Sequence, residues 1–140
     1  MTSYVLDASA GLRLHLDDGP MPEGLESAAE LVADGEARFV APELFWVEVA
    51  HVLLRSRRKG LLRPRDFHDT WENLLGGSLH TLRHLEYLDE AMHLAGEDNL
   101  SVYDAMYLAL SMKHEWPLFT ADKKLRQAAR RRGLLATVDD

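Results

Sequence analysis

Short runs of β-branched and aromatic residues alternate along this chain with longer segments of helical period. Ser3 to Leu6 is an apolar run ended by Asp7 and reads as a buried strand. Ala8 to Leu16 has helical character, and residues 23–34, with Leu25, Ala28, Ala29, Leu31 and Val32 on one stripe, predict a second helix. Arg38 to Ala41 is a second short strand, closed by Pro42, and Pro42 suits the first turn of a helix running to about Arg58. Pro64 opens another helix that Gly76 and Gly77 stop. Ser78 to Leu82 is a weak third strand, and Glu86 to Ala95 is a helix ending at Gly96. Ser101 to His114 is a strongly apolar helix, Pro117 to Thr120 a fourth strand, Asp122 to Arg132 a helix and Leu135 to Val138 a last strand.

Apolar strands alternating with helices imply a mainly parallel sheet covered on both faces. Ligand sites in such sheets lie beyond the carboxyl ends of the strands, near the switch in strand order. No repeat or low-complexity tract interrupts the pattern, and the most loop-like stretch is residues 17–24. The length of 140 residues therefore predicts a single domain over 1–140.

Composition narrows the chemistry. The chain has no cysteine, which excludes disulfides, thiol catalysis and zinc–thiolate sites. No basic, apolar leader is read at the start and no window suggests a membrane span, so a cytoplasmic protein is expected. The net charge is −7, yet twelve of the 16 basic residues fall in two short segments. One holds Arg55, Arg57, Arg58, Lys59, Arg63 and Arg65. The other holds Lys123, Lys124, Arg126, Arg130, Arg131 and Arg132. Such patches either solvate helix ends or hold a polyanion locally.

Four carboxylates stand in apolar surroundings: Asp7 in YVLDASA, Glu48 in PELFWVEVAHVLL, Asp104 in LSVYDAMYLALSM and Asp122 in LFTADKKL. A buried carboxylate needs a partner, a capping role or water. Asp7 and Asp122 could cap the helices that follow them, and Ser101 with Asp104 resembles a capping box. Glu48 lies more than a turn inside its helix, so its bland alternative is an ion pair with Arg55 or Arg13. The strand pattern, however, puts Asp7 and Asp122 on one edge of the sheet. Converging carboxylates repel until a cation enters, and an all-oxygen donor set suits Mg²⁺ or Mn²⁺. Four of them could hold two ions at the spacing used for in-line phosphoryl displacement, with Ser9 and Thr120 positioning waters or phosphate oxygens.

With these motifs in this order, the chain resembles the PIN-domain ribonucleases, and within them the VapC-type toxins of bacterial toxin–antitoxin pairs. The resemblance covers essentially the whole chain. It implies an α/β/α sandwich with a parallel five-stranded sheet, Mg²⁺- or Mn²⁺-dependent endoribonuclease activity, a small VapB-like antitoxin and a homodimer. It further implies that Asp7, Glu48, Asp104 and Asp122 are the acidic catalytic and metal-binding residues. His51 stands where many such proteins carry Asn, and a packed or supporting role is expected for it rather than direct ligation.

The remaining features allow other readings. His80 and His84 have a zinc-pair spacing but no evident third ligand. Phe45, Trp46, Phe67 and Trp71 are expected to be core, the alternative being a dimer seam or an antitoxin groove. Arg57, Arg58 and Lys59 after the Glu48 helix, and Lys123, Lys124 and Arg126 after Asp122, are candidate RNA-backbone contacts. The rival functional reading is a non-catalytic module binding RNA or a protein partner. An aspartyl-phosphate phosphatase would need a second Asp two residues after Asp7, where Ser9 stands.

Overall fold

A computed structural model describes residues 1–137. Strand β1 (Thr2–Leu6) buries Ser3 to Leu6 without a break, as a strand covered on both faces must. It pairs in parallel with β2 (Ala37–Pro42) on one side and with β4 (Leu118–Phe119) on the other. β2 pairs in parallel with β3 (Leu79–Leu82), giving the order β3-β2-β1-β4. Successive strands run outward in one direction from β1 to β3, and β4 then joins the opposite side. The switch in order therefore lies between β1 and β4, where open α/β sheets place their sites.

Helices flank this sheet: α1 (Ala8–Arg13), α2 (Leu25–Ala33), α3 (Leu44–Arg58), α4 (Pro64–Leu75), α5 (Leu88–Asp98), α6 (Val102–His114) and α7 (Lys123–Arg131). α6 packs on β1 and β2 and carries α5 on its other side. It is buried continuously from Ala105 to Ser111, which is why its sequence reads as apolar all round. α2 lies on β2, and α1 meets α3. Gly11 is required at that crossing: a Cβ there would stand 2.9 Å from the Phe45 ring.

The α/β architecture and the parallel strands follow the sequence pattern, with three corrections. Among the described residues the sheet has four strands, not five. The chain returns beside β4 only as a single parallel bridge, Leu118 to Leu135, held by Leu118 N–H to the Leu134 carbonyl at 2.7 Å and Ala136 N–H to the Leu118 carbonyl at 2.9 Å. The predicted end of that strand, Val138, lies outside the described residues. Pro42 ends β2, opposite Leu82, rather than opening a helix. It lacks an N–H, and at a strand's last position none is needed. Finally, α5 runs through Gly96 and stops at Asn99, which adopts φ 54°. A left-handed Asn ends a helix as glycine does.

The aromatic residues resolve as core. Phe45 is fully buried, while Trp46, Phe67 and Trp71 are half-buried against the same cluster. Trp46 meets Phe45 and Trp71 edge-on at 5.2 and 6.1 Å between centroids.

Candidate active site

The register of the central strands creates the site. Leu6 pairs with Phe119, so the residues that follow each strand, Asp7 and Thr120, are neighbours. Asp7 is only 3% exposed and caps α1: its Oδ1 accepts from the Ala10 N–H at 2.8 Å and from the Ser9 hydroxyl at 2.7 Å. Its Oδ2 accepts from the buried Thr120 hydroxyl at 2.5 Å. Ser9 Oγ in turn accepts from Ala121 N–H at 2.9 Å, and Thr120 Oγ1 accepts from Asp122 N–H at 3.0 Å. Both hydroxyls have thus given their one proton to Asp7 and take backbone donors with their lone pairs. Their own 3.4 Å approach has no proton left for it.

Asp122 caps α7 through Leu125 N–H at 2.9 Å, and Ser101 caps α6 by accepting from Asp104 N–H at 3.1 Å. The capping roles read from the sequence are therefore real. Glu48, half-buried on α3, accepts a 2.7 Å hydrogen bond from the hydroxyl of Tyr107 on α6. Tyr107 was not among the residues singled out from the sequence. Its position one turn after Asp104 on the same helix face was the available signal.

Electrostatics ties the four carboxylates together. Burial pushes the Asp7 carboxyl from its ordinary 3.8 up to about 7 against the pull of three hydrogen bonds, and the charge of Asp104 adds to the rise. Glu48 is raised by burial and again by Asp104, with the Tyr107 hydroxyl opposing. Asp104 is raised by burial and then by the charge of Asp122. Tyr107 is held far above its ordinary range by burial and by Glu48. Asp104 thus interacts with each of the other three: its charge raises Asp7 and Glu48, and the charge of Asp122 raises it.

Among the described residues no arginine pairs with any of the four. Arg13, one bland partner for Glu48, binds Asp18 at 2.9 Å and the Pro20 carbonyl at 3.1 Å instead. Among the described residues no ion pair reaches Asp7, Glu48, Asp104 or Asp122. Nor does any group of three or more His, Asp or Glu side chains among the described residues already enclose a metal ion. The donor chemistry nonetheless fits a hard divalent ion: these are carboxylate oxygens, desolvated and without counter-charge.

Other expectations separate. His51 is exposed, not packed in the core, and lines a cavity of about 410 Å³ with Val47, Glu48, Val52 and Tyr103. His80 is exposed, and His84 keeps a buried Nδ1 without a partner. They do not form a metal group. Lys123 and Lys124 are exposed beside Asp122 at the start of α7, and Arg126, with Arg130, lines a neighbouring cavity of about 320 Å³. Arg57, Arg58 and Lys59 are set apart. They lie at the far end of α3, about 15 Å along its axis from Glu48 at 1.5 Å per residue. Arg57 rests over the Phe67 ring at 5.1 Å.

The chain is similar to known proteins in sequence and in fold. The family model of the PIN domain matches residues 4–131. Ribonuclease VapC3 of Pyrobaculum aerophilum is 32% identical over 127 residues, covering 88% of this chain and 92% of that protein. Among solved structures, PAE2754 of Pyrobaculum aerophilum superposes with a TM-score of 0.70 at 20% identity, over 99% of this chain and 90% of that one. VapC20 of Mycobacterium tuberculosis, described as a Sarcin-Ricin loop cleaving toxin, gives 0.62 at 18% identity over 89% and 94%. A toxin–antitoxin complex from Klebsiella pneumoniae gives 0.50 at 17% identity over 86% and 88%.

Proposed function

The chain belongs to the PIN-domain family, and on that premise we propose that it is a divalent-metal-dependent endoribonuclease acting as the toxin of a toxin–antitoxin pair. The observation that carries this reading is the uncompensated carboxylate group at the β1/β4 switch point. The charge of Asp104 raises the proton affinity of Asp7 and of Glu48, the charge of Asp122 raises that of Asp104, and among the described residues no cation pairs with any of the four. Protein evolution tolerates such a group where a metal completes it.

In this reading the four carboxylates hold Mg²⁺ or Mn²⁺. When bound, such an ion acts as a Lewis acid toward the phosphodiester and its attacking water. The chain's own residues set the stage. Ser9, Thr120 and the Ala10 N–H fix both oxygens of Asp7. Tyr107 aims Glu48. Lys123, Lys124 and Arg126 meet the RNA backbone next to Asp122. Arg57, Arg58 and Lys59, farther off, contact phosphates only of a longer substrate. His51 lines the approach to Glu48. The reaction adds water across a P–O3′ bond, with the proton leaving on the 3′ oxygen, and so yields 5′-phosphate and 3′-hydroxyl ends. The toxin's partners are a small VapB-like antitoxin and a second copy of the chain, and its compartment is the cytoplasm. The kinship with ribonuclease VapC3 and the likeness to a toxin–antitoxin complex support the reading.

The test is cleavage of RNA with Mg²⁺ or Mn²⁺ and its loss with EDTA. The Asp7→Asn and Asp104→Asn variants are expected to cut at least a hundredfold more slowly, and undiminished cleavage by either would overturn the assignment. The absence of a ready-made three-residue chelate among the described residues favours one rival, a non-catalytic RNA-binding module. RNA binding without metal-dependent cleavage by the wild type would establish it.

A further inference from the structure

The cavity of about 410 Å³ beside the carboxylate group lies between α3 and the start of α6. Val47, Glu48, His51 and Val52 line it from one side of α3, and Tyr103 lines it from α6. The hydrogen bond from Tyr107 to Glu48 ties the same two helices together. Tyr103 is 65% exposed and Val47 72%, and His51 is exposed as well. Among the described residues Tyr103 and His51 take part in no hydrogen bond, ion pair or ring contact. Tyr107, one turn on, is buried and bonded, so the fold itself uses one of these two tyrosines and leaves the other free.

We infer that this cavity takes an unstacked nucleobase of single-stranded RNA whose backbone crosses the carboxylate group, with the base laid on the Tyr103 ring. The inference rests on the proposed function for the RNA itself. Glu48 belongs both to the cavity wall and to the carboxylate group, so a phosphodiester held at the carboxylates brings the base of an adjoining nucleotide to this cavity. No lysine or arginine stands among the lining residues, and the one charged side chain is acidic. Such a wall repels phosphate and accepts the neutral, flat part of a nucleotide. A phenol ring, an imidazole and two valines offer the aromatic and apolar surface on which bases stack. The volume falls in the range of small-ligand sites. A paired base cannot reach such a cavity without leaving its helix, so the site favours loops and single strands.

Fluorescence anisotropy of a labelled single-stranded RNA of about twelve nucleotides, in EDTA so that the RNA stays intact, tests the inference apart from cleavage. Tyr103→Ala is expected to weaken binding about tenfold, the size of one lost base–aromatic stack. Tyr103→Phe keeps the ring and is expected to stay within about twofold of wild type. An oligomer of the same length with tetrahydrofuran in place of every nucleoside has the phosphates without the bases, and is expected to bind wild type and Tyr103→Ala alike. With Mn²⁺ added, Tyr103→Ala is expected to raise the KM for RNA about tenfold and to leave kcat within about twofold, because the stack is made before and during cleavage alike. Circular dichroism and Mn²⁺ affinity of the variant are expected to match wild type, since Tyr103 is exposed and unpartnered. Unchanged RNA binding by Tyr103→Ala, equal losses on the RNA and on the abasic oligomer, or a Tyr103→Phe variant as weak as Tyr103→Ala would each overturn the inference. So would a Tyr103→Ala variant whose one defect, by sedimentation, is weaker association with a second copy of the chain. A wild type that shows these binding differences and yet cleaves no RNA with Mn²⁺ would uphold the base site and overturn the nuclease reading alone, whereas a wild type that binds no RNA would overturn both.

Discussion

Replacing Asp7 with asparagine, in protein stripped of divalent ions, is expected to stabilise the fold at pH 8 and to destabilise it at pH 4. Burial raises this carboxyl from 3.8 to about 7. At roughly 1.4 kcal/mol per pKa unit, keeping it ionised in the folded state costs about 4 kcal/mol. The folded protein holds this proton more tightly than the unfolded chain does. The stability is therefore fully present below pH 4, drains away as pH rises to about 7, and is level above that. Asparagine removes the charge and keeps an acceptor for the Ala10 N–H. Its amide nitrogen, however, must face a hydroxyl of Ser9 or Thr120 that now has to turn and accept, a mismatch of about 2 kcal/mol. The net is about 2 kcal/mol in favour of the variant at pH 8, a rise of about 5–8 °C in Tm for a chain of this size. At pH 4 only the mismatch remains, and wild type leads by about the same amount. Urea denaturation of both proteins in EDTA at pH 4, 6 and 8 measures the crossing. A variant no more stable than wild type at pH 8 would show that the charge of Asp7 is already compensated.

Three further outcomes follow from particular residues. Tyr107→Phe deletes the hydroxyl that Glu48 accepts from and leaves a half-buried carboxylate short of a donor. A loss of about 1–3 kcal/mol is expected by denaturation, and no loss would mean the bond is not maintained in solution. Gly11→Ala drives a methyl to 2.9 Å from the Phe45 ring and is expected to cost about 1–3 kcal/mol in the same assay, the α1–α3 crossing having no slack. Lys123→Ala with Lys124→Ala is expected to reduce the slope of log affinity for single-stranded RNA against log salt by about 1.4, that is about 0.7 for each phosphate no longer neutralised. An unchanged slope would remove the start of α7 from the RNA path.

Much of the site was legible in one dimension because its residues are punctuation. Asp7 follows one apolar strand, Thr120 ends another and Asp122 opens a helix, so alternation of strands and helices alone puts Asp7 and Asp122 at one sheet edge. Glu48 and Asp104 stood out because each interrupts a helix that is otherwise apolar around them. What stayed hidden depends on pairing in three dimensions. Tyr107 looks like one more core aromatic until Glu48 arrives from α3. Pro42 and Gly96 carry strong local meanings, yet the partner strand at Leu82 and the tertiary packing of α5 overrode them. Leu135 to Val138 has strand composition, but within the described residues only Leu135 bridges to β4.

Calorimetric titration with Mn²⁺ reaches the central claim most directly, because it asks whether these carboxylates gather to bind a cation without requiring any RNA. Wild-type protein is expected to bind, Asp104→Asn to bind at least tenfold more weakly because Asp104 interacts with all three of the others, and Asp89→Asn, exposed at the start of α5, to match wild type. Wild-type protein that takes up no Mn²⁺, or an Asp104→Asn variant that binds it equally well, would contradict the account.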